Sequence, residues 1–505
     1  MRAKLTNSNV EMPVPIDYVL PVVLEEDSND ECRLFEADPF ESEMMPFITF
    51  AKPQCVPQNP SITRLENNRI IINENNYLNV TYSNCFTKCH YPTTEKFFHS
   101  SDWQTLSPEK EITCDVVEIQ CYYETPKGSG FNVQKAAYWN IHVQTYRRND
   151  TVLTNDTQRP SVHIFVVDSV SHPEMIRSLP KTLTYLREKF DIVPFPFHSL
   201  NGKVSYHNGF AAFFGKNVVP ETVNEGIYPS RPTDYKDFDQ YLDDDQYIGK
   251  IFQSADYVTA LCESTQSSFF SRFKGFQQLP ADHICNPAAG VIDEQKIEVF
   301  YNRCDNYHHY QFEYLESFAK EYDRLPKFSL SWNTQLTHES INTLYPEDDK
   351  FLEFFKSIEK ELENSYFILM GDHGPRYGDF RNISAGHREN LNPALFISLP
   401  KALRENHPEV VDIVKNNSRR LTTHYDLFAT LVDIADSKDP KFSKENLVLY
   451  GKSFLKPIEE QRSCKSLMIL PDLCICEIQK TLIPDKSIAS NMANFLFEMT
   501  DFIYT

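Results

Sequence analysis

The chain has 505 residues, 41% of them hydrophobic and 24% charged, which predicts two or three domains with sizeable cores and excludes wholesale disorder. Its formal net charge of −21 predicts an acidic surface that repels phosphate backbones, so a nucleic-acid partner is excluded.

The first 30 residues are predicted to form an acidic, mobile leader. They contain no apolar run of signal-peptide length, and no run of about 20 apolar residues occurs anywhere in the chain. We therefore expect no transmembrane segment in this chain. Two alternatives stay open: a leader, with or without a membrane anchor, precedes Met1, or export uses a signal that is not visible here.

Residues 31–158 are predicted to form a β-rich accessory domain, because short β-type runs alternate with polar turns. These runs are Arg69–Ile72, Tyr77–Tyr82, Asp115–Tyr123 and Tyr138–Tyr146. The polar segment Arg147–Pro160 is predicted to be a linker.

From residue 159 the pattern changes to continuous apolar runs that alternate with helical patterns. Residues 159–456 are therefore predicted to form an α/β domain. Val162–Val167 is a continuous apolar run, which is typical of a strand buried on both faces. Further strands of this type are predicted at Phe328–Trp332, Tyr366–Met370 and Ala394–Leu399. Helical patterns lie between them at Leu179–Lys189, Asp349–Asn364 and Tyr425–Ala435. This alternation predicts a mostly parallel sheet with helices on both faces. Residues 457–505 are predicted to be a disulfide-tied C-terminal extension.

The 12 cysteines divide into six early, three central and three late residues. They lack the paired CxxC-like spacing of zinc sites, so we interpret them mainly as disulfides of an extracellular or secretory-pathway protein, with reduced thiols as the alternative. Five Asn-X-Ser/Thr glycosylation sequons add little evidence in a chain this rich in asparagine. They lie at Asn79, Asn149, Asn155, Asn382 and Asn416.

Metal-ligand residue types follow two of the predicted strands. Asp168 comes directly after Val162–Val167, and Asp372 and His373 come after the strand Tyr366–Met370. Ligands of open α/β sheets bind at the carboxyl ends of strands, and two carboxylates with an imidazole suit a divalent metal. The glycines on either side of the Asp-His pair allow a sharp turn. The alternatives are a helix N-cap for Asp168 and an ordinary His-Gly loop.

These strings also resemble a known superfamily. Phe367–Gly374 (FILMGDHG) resembles the metal-binding signature of the alkaline phosphatase/sulfatase superfamily, and Phe165–Ser171 (FVVDSVS) resembles its first strand and first metal ligand. More closely, the chain resembles a eukaryotic, extracellular sulfatase-like family of unknown function. That resemblance adds the cysteine-containing N-terminal region, the motif Leu336–Asn342 (LTHESIN) and the tail Cys464…Cys474-Ile475-Cys476. It implies an alkaline-phosphatase-like fold.

The resemblance also implies a nucleophile at a helix N-terminus after the second strand. Relatives resemble nucleotide pyrophosphatases there, with Thr-Phe-Pro-Asn, and the matching stretch is Ser205–Gly209. Ser205 takes the nucleophile position, while Lys203 would add positive charge and Asn208 a hydrogen bond for the substrate. Serine in place of threonine and His207 in place of proline are departures, and a plain turn serine is the alternative. The Cys/Ser-x-Pro-x-Arg signature of sulfatases is absent.

Several histidines are further candidates. His338 corresponds to a histidine that contacts the substrate or assists the leaving group in single-metal relatives, with an ordinary loop histidine as the alternative. His387 and His424 could complete the metal site, although structural roles are the alternative. Two-metal relatives carry an Asp-x-x-x-His motif in the region of His338, and no such motif is found there. The remaining candidates are interpreted as surface residues: His172, His308 and His309.

Together these features predict a metal-dependent hydrolase or transferase acting through Ser205 on a small-molecule, glycan-linked or lipid-linked phosphate ester or diester. One divalent ion is expected; Zn²⁺ suits the imidazole best, with Mn²⁺, Mg²⁺ and Ca²⁺ open. The first alternative is a catalytically decayed extracellular binding or structural protein on the same fold. The second is a sulfatase.

Overall fold

The computed structural model describes residues 32–476, except for a set of internal positions. These are 58–59, 75, 124–135, 148–158, 219–230, 236–237, 266–269, 271, 293–298, 301–303, 305 and 460. The predicted leader, nearly all of the predicted linker, the sequons at Asn149 and Asn155, and residues 477–505 of the predicted extension lie outside the described residues.

The described residues form strands in both halves of the chain and α-helices from His172 onward. The strands are β1 (Thr63–Glu66), β2 (Arg69–Ile72), β3 (Cys85–Pro92), β4 (Phe98–Ser100), β5 (Gln104–Thr105), β6 (Val116–Cys121), β7 (Tyr138–Val143), β8 (Ser161–Val167), β9 (Val193–Pro194), β10 (His198–Ser199), β11 (Val258–Glu263), β12 (His283–Ile284), β13 (Lys327–Asn333), β14 (Ser365–Met370), β15 (Leu395–Ser398) and β16 (Thr422–Thr423). The helices are α1 (His172–Ser178), α2 (Pro180–Phe190), α3 (Ser205–Phe213), α4 (Ile248–Ser254), α5 (Asn286–Val291), α6 (Tyr310–Glu321), α7 (Asp348–Ser357), α8 (Glu359–Glu363), α9 (Ser384–Leu391), α10 (Lys401–Asn406), α11 (Pro408–Asn417) and α12 (His424–Ala435).

A seven-stranded sheet in the order β12-β11-β13-β8-β14-β15-β9 is built from strands between residues 161 and 398. From β12 to β14 every neighbouring pair is parallel. The strand β15 runs antiparallel to both β14 and β9. The expected mostly parallel sheet is therefore confirmed, with an antiparallel edge whose direction the hydrophobic pattern does not encode.

The central strand β8 is buried along its whole length and packs against helices on both sides. Val162, Ile164 and Val166 point to one face, where they join a core with α3, α4 and α12. Phe165 and Val167 point to the other face and pack with α1, α2, α6 and α7. Helices on both faces explain why this strand shows no alternation of apolar and polar residues, although it includes the buried His163.

The N-terminal region forms an antiparallel sheet in the order β4-β3-β6-β7, with β5 paired to β3. One face of this sheet shares a core with α5 and α6. The β-rich character is confirmed, but the strand predicted at Tyr77–Tyr82 is wrong. The Asn76 side chain closes a loop there, because it both accepts from the Val80 N–H and donates to the Val80 carbonyl.

Six disulfides join all 12 cysteines, which confirms the disulfide interpretation and indicates an oxidising compartment. The pairs are Cys32–Cys476, Cys55–Cys304, Cys85–Cys121, Cys89–Cys114, Cys262–Cys285 and Cys464–Cys474. Two of them tie the C-terminal tail. None of the helices in the described part of the chain has both the length and the hydrophobicity of a membrane span. The sequons at Asn79, Asn382 and Asn416 are exposed.

Candidate active site

Three side chains meet at the carboxyl edge of the central sheet. Asp168 follows β8, and Asp372 and His373 follow the neighbouring parallel strand β14. All three are buried, and one ligand atom from each lies within 4.8 Å of the others. The His373 Nε2 atom is 3.3 Å from Asp372 Oδ2 and 3.9 Å from Asp168 Oδ1.

The backbone around these ligands is closely packed. A Cβ atom on Gly371 would lie 2.1 Å from the Val170 carbonyl oxygen, and one on Gly374 would lie 1.8 Å from that of Glu389. Close approach, rather than a left-handed conformation, is therefore what requires glycine at both positions. This packing fixes the loop that carries the Asp-His pair.

Ser169 forms hydrogen bonds with both acidic residues. Its backbone is in the left-handed region, with φ of 60°. Its N–H donates to Asp372 Oδ1 and its hydroxyl donates to Asp168 Oδ1, both at 2.9 Å. Helix α1 is capped instead by Ser171, whose hydroxyl accepts from the Glu174 N–H. Capping therefore does not explain Asp168.

The electrostatics of the cluster suit a cation. Burial raises the pKa of Asp168, and the neighbouring Asp372 charge raises it further; burial also raises the pKa of Asp372. Burial lowers the pKa of His373 to about 4, and its Nδ1–H donates to the Gly374 carbonyl at 2.9 Å. That leaves the Nε2 lone pair facing the carboxylates. Asp372 Oδ2 is buried with no hydrogen-bond partner among the described residues. This donor set fits a divalent metal.

Ser205 is the first residue of α3, and its hydroxyl points into the cluster. The Oγ atom lies 3.2 Å from Asp168 Oδ2 and 3.3 Å from His373 Nε2. The turn before the helix is held by Asn208, whose Oδ1 accepts from the N–H groups of Asn201 and Gly202. The Asn208 amide nitrogen donates to the Gly202 carbonyl. Asn208 therefore shapes the turn that presents Ser205.

His338 lies beside the mouth of the site in a chain of polar contacts. Its Nδ1 is 2.6 Å from Glu339 Oε1, and its Nε2 accepts from an Arg376 N–H at 3.1 Å. The Arg376 charge favours the charged form of Asp372 and disfavours that of His373. Arg376 was missed from sequence, although its place four residues after Asp372 was a usable signal.

A family model described as "Protein of unknown function (DUF229)" matches residues 52–501. The chain belongs to this DUF229 family. The predicted membership in a family of unknown function is thereby confirmed. No curated protein matches the chain.

The solved structures similar to this DUF229 chain include three from bacteria. One is a phosphonate monoester hydrolase of Agrobacterium radiobacter, at 11% identity and a TM-score of 0.39, with 60% of this chain and 79% of that one covered. Another is the C-terminal periplasmic domain of Escherichia coli EcEptC in complex with Zn, at 13% identity and a TM-score of 0.37, covering 61% and 90%. A third is a protein in the alkaline phosphatase superfamily from Vibrio parahaemolyticus, at 16% identity and a TM-score of 0.34, covering 60% and 71%.

The other candidates lie outside the three-ligand cluster. Lys203 is exposed and pairs with Asp472 of the tail at 2.5 Å. His424 is buried, with its Nδ1 3.2 Å from Asn201 Oδ1. His387 is exposed on α9. Neither histidine belongs to the group of converging ligand atoms.

His172, His308 and His309 were predicted to be surface residues. His172 is 1% exposed and His308 is 3% exposed, so the surface interpretation is wrong for both. The His172 ring stacks on Phe396 beneath α1, whereas His309 is partly buried.

Proposed function

We propose that this chain is a metal-dependent hydrolase or transferase of phosphate esters or diesters, with Ser205 as its nucleophile. The observation that carries the proposal is the position of the Ser205 hydroxyl. It stands at a helix N-terminus within 3.3 Å of Asp168 and His373, beside the unpartnered Asp372 Oδ2. A turn serine without a chemical role would not need two buried carboxyls and an imidazole around it.

Asp168, Asp372 and His373 would hold the ion, and zinc suits their mixed oxygen and nitrogen donors best, with manganese, magnesium and calcium open. When bound, a divalent cation supplies Lewis-acid stabilisation of charge on the serine oxygen and on the phosphoryl oxygens.

The chain's own groups would perform the remaining steps. The first turn of α3 offers the positive end of the helix dipole to the Ser205 oxygen as it loses its proton, and Asp168 Oδ2, 3.2 Å away, is placed to accept that proton. The oxygen forms a bond to phosphorus while the ester oxygen departs, and water or an alcohol then takes the phosphoryl group from the serine.

Arg376 is placed to bind the substrate's anionic oxygens with its guanidinium fork. In this structure His338 accepts from Arg376 and contacts Glu339, so it holds that guanidinium at the mouth of the site. It remains a prediction that His338 contacts the substrate or assists the leaving group. It also remains a prediction that Lys203 binds the substrate. We propose a small-molecule, glycan-linked or lipid-linked phosphate ester as substrate, met in the secretory pathway or outside the cell.

The test measures bound metal and turnover on purified full-length protein. The panel contains phosphomonoesters, phosphodiesters and sulfate esters. We expect bound metal, turnover of a phosphate ester, and a loss of at least about 1,000-fold in kcat for Ser205→Ala. The matched control is Ser205→Thr, which keeps a hydroxyl at the same position and should retain measurable turnover.

The same panel separates the alternatives. Bound metal without turnover of any ester would favour a decayed binding protein, and turnover confined to sulfate esters would favour a sulfatase. Full activity of Ser205→Ala would exclude the serine nucleophile. Protein that binds no metal under any condition would exclude the metal site.

A further inference from the structure

A second group of metal-ligand side chains lies away from the site described above. We call it the His-His-Glu cluster; it consists of His308, His309 and Glu347. The two histidines end the short helical turn Tyr307–His309 directly before α6, and Glu347 ends the turn Tyr345–Glu347 directly before α7. One ligand atom from each residue lies within 4.8 Å of the others.

The two imidazoles approach the same carboxylate oxygen. The His309 Nε2 atom is 2.7 Å from Glu347 Oε2, and the His308 Nε2 atom is 3.9 Å from it. The side chains of His308, Glu347 and His309 are 3%, 9% and 15% exposed. A hydrogen bond between a histidine and a glutamate requires one imidazole, so the convergence of a second one points to a shared ion.

The surroundings of the cluster are those of a ligand site. The Asn306 amide donates to the other carboxylate oxygen, Oε1 of Glu347, which orients Oε2 toward the imidazoles. His309 also lines a cleft of about 610 Å³ between the N-terminal sheet and α6, which provides an entry path. Two imidazoles and one carboxylate form a donor set that suits zinc.

We propose that His308, His309 and Glu347 bind a second divalent cation, with zinc as the ion of choice, independently of the Asp168 site. The role of this ion would be structural, because it joins the turns that precede α6 and α7. In the first turn of α6, Gln311 donates to the backbone carbonyls of Cys262 and Trp332 on β11 and β13. Since Gln311 holds the start of α6 on the sheet, the ion would fix the start of α7 to the same place.

The test counts zinc in the full-length protein by equilibrium dialysis against zinc chloride and elemental mass spectrometry, after chelator treatment. We expect two zinc ions per chain in the wild type, one in Asp372→Asn, and none in Asp372→Asn combined with Glu347→Gln. The matched control is Glu313→Gln in the Asp372→Asn background. Glu313 is an exposed carboxylate of the same cleft, outside the cluster, so that variant should keep one ion.

An Asp372→Asn variant that binds no zinc would overturn the proposal, as would a Glu347→Gln double variant that keeps a full equivalent. If Glu347→Gln fails to fold, His309→Gln takes its place in the same background, with the same expected loss. Cobalt gives an independent readout: visible absorption of bound Co²⁺ should appear in Asp372→Asn and weaken at least about tenfold when the cluster is altered. Equal absorption in both variants would also overturn the proposal.

Discussion

Two groups of carboxylates in this chain differ in how their charge is neutralised. The first group forms ion pairs with basic side chains: the buried Glu389 with Arg177 at 2.6 Å, the buried Asp426 with Arg462 at 2.8 Å and the partly buried Glu361 with Lys327 at 3.1 Å. The second group is Asp168 and Asp372, whose ion-pair contacts within the described residues are to His373 alone.

The difference appears in the pKa directions. Burial disfavours the Glu361 charge, but the hydrogen bond and charge of His163 and the charge of Lys327 outweigh it and lower the Glu361 pKa to about 2. The pKa values of Asp168 and Asp372 are raised. The paired carboxylates are neutralised by basic side chains of the fold. The charges of Asp168 and Asp372 would instead be neutralised by a cation from solution.

The strongest test of the paired group is Arg177→Met. Removal of the guanidinium leaves Glu389 buried without its partner, so we expect the free energy of unfolding to fall by about 3–5 kcal/mol in urea denaturation. The matched control is Lys189→Met, because Lys189 pairs with Glu359 at the exposed surface. Its loss should change the free energy by less than about 1 kcal/mol. Equal effects of the two substitutions would break the comparison.

The pH dependence of Glu361 gives the next largest effect. Because its folded-state pKa lies below the ordinary value of 4.5, the unfolded chain binds the proton more readily. Stability from this group is therefore full above about pH 4.5 and is lost as the pH falls toward about 2, amounting to roughly 3 kcal/mol.

Denaturation at a series of pH values should show this loss in the wild type. In Glu361→Gln it should be smaller by that amount, since the amide does not titrate. Parallel curves for the two proteins would contradict the prediction.

The unpaired group is tested by metal removal. With free zinc at about 100 times Kd, binding at one site raises the free energy of unfolding by about 2.7 kcal/mol. Measured as the difference between zinc and EDTA, the gain in stability should be smaller by this increment in Asp372→Asn than in the wild type, because zinc bound at the His-His-Glu cluster contributes equally to both proteins. In EDTA the variant should be at least as stable as the wild type, because the substitution removes one of two repelling buried carboxyls. Identical zinc responses would show that Asp372 is not a ligand.

Sequence patterns predicted the strands that position the site because burial on both faces makes them continuously apolar. Val162–Val167 and Tyr366–Met370 match β8 and β14 within one residue at each end. Asp168 follows β8 directly, and Asp372 follows β14 after one glycine. The strand β11 was overlooked, although Tyr257–Cys262 carries a similar apolar run. The helix predicted at Asp349–Asn364 divides at Ile358 into α7 and α8, a break that helical periodicity does not indicate.

Contacts between segments that are far apart in the chain could not be predicted from the sequence. The direction of β15 depends on how the chain returns to the sheet, which hydrophobicity does not record. The approach of His308 and His309 to Glu347 depends on the relative placement of two helix starts. The pairing of Lys203 with Asp472 depends on the path of the disulfide-tied tail.

That last pair gives the smallest predicted effect and extends the comparison to the surface. The side chains of Lys203 and Asp472 are 70% and 56% exposed, so either Lys203→Met or Asp472→Asn should change the free energy of unfolding by less than about 1 kcal/mol.

The kinetic effects of the two substitutions should be opposite if Lys203 attracts an anionic ester. Asp472→Asn frees the ammonium group and should lower KM by about two- to fivefold, while Lys203→Met should raise it by a similar factor, with kcat unchanged in both. Both shifts should shrink at high salt, which screens exposed charges. If KM is the same in all three proteins at low salt, Lys203 has no part in substrate binding.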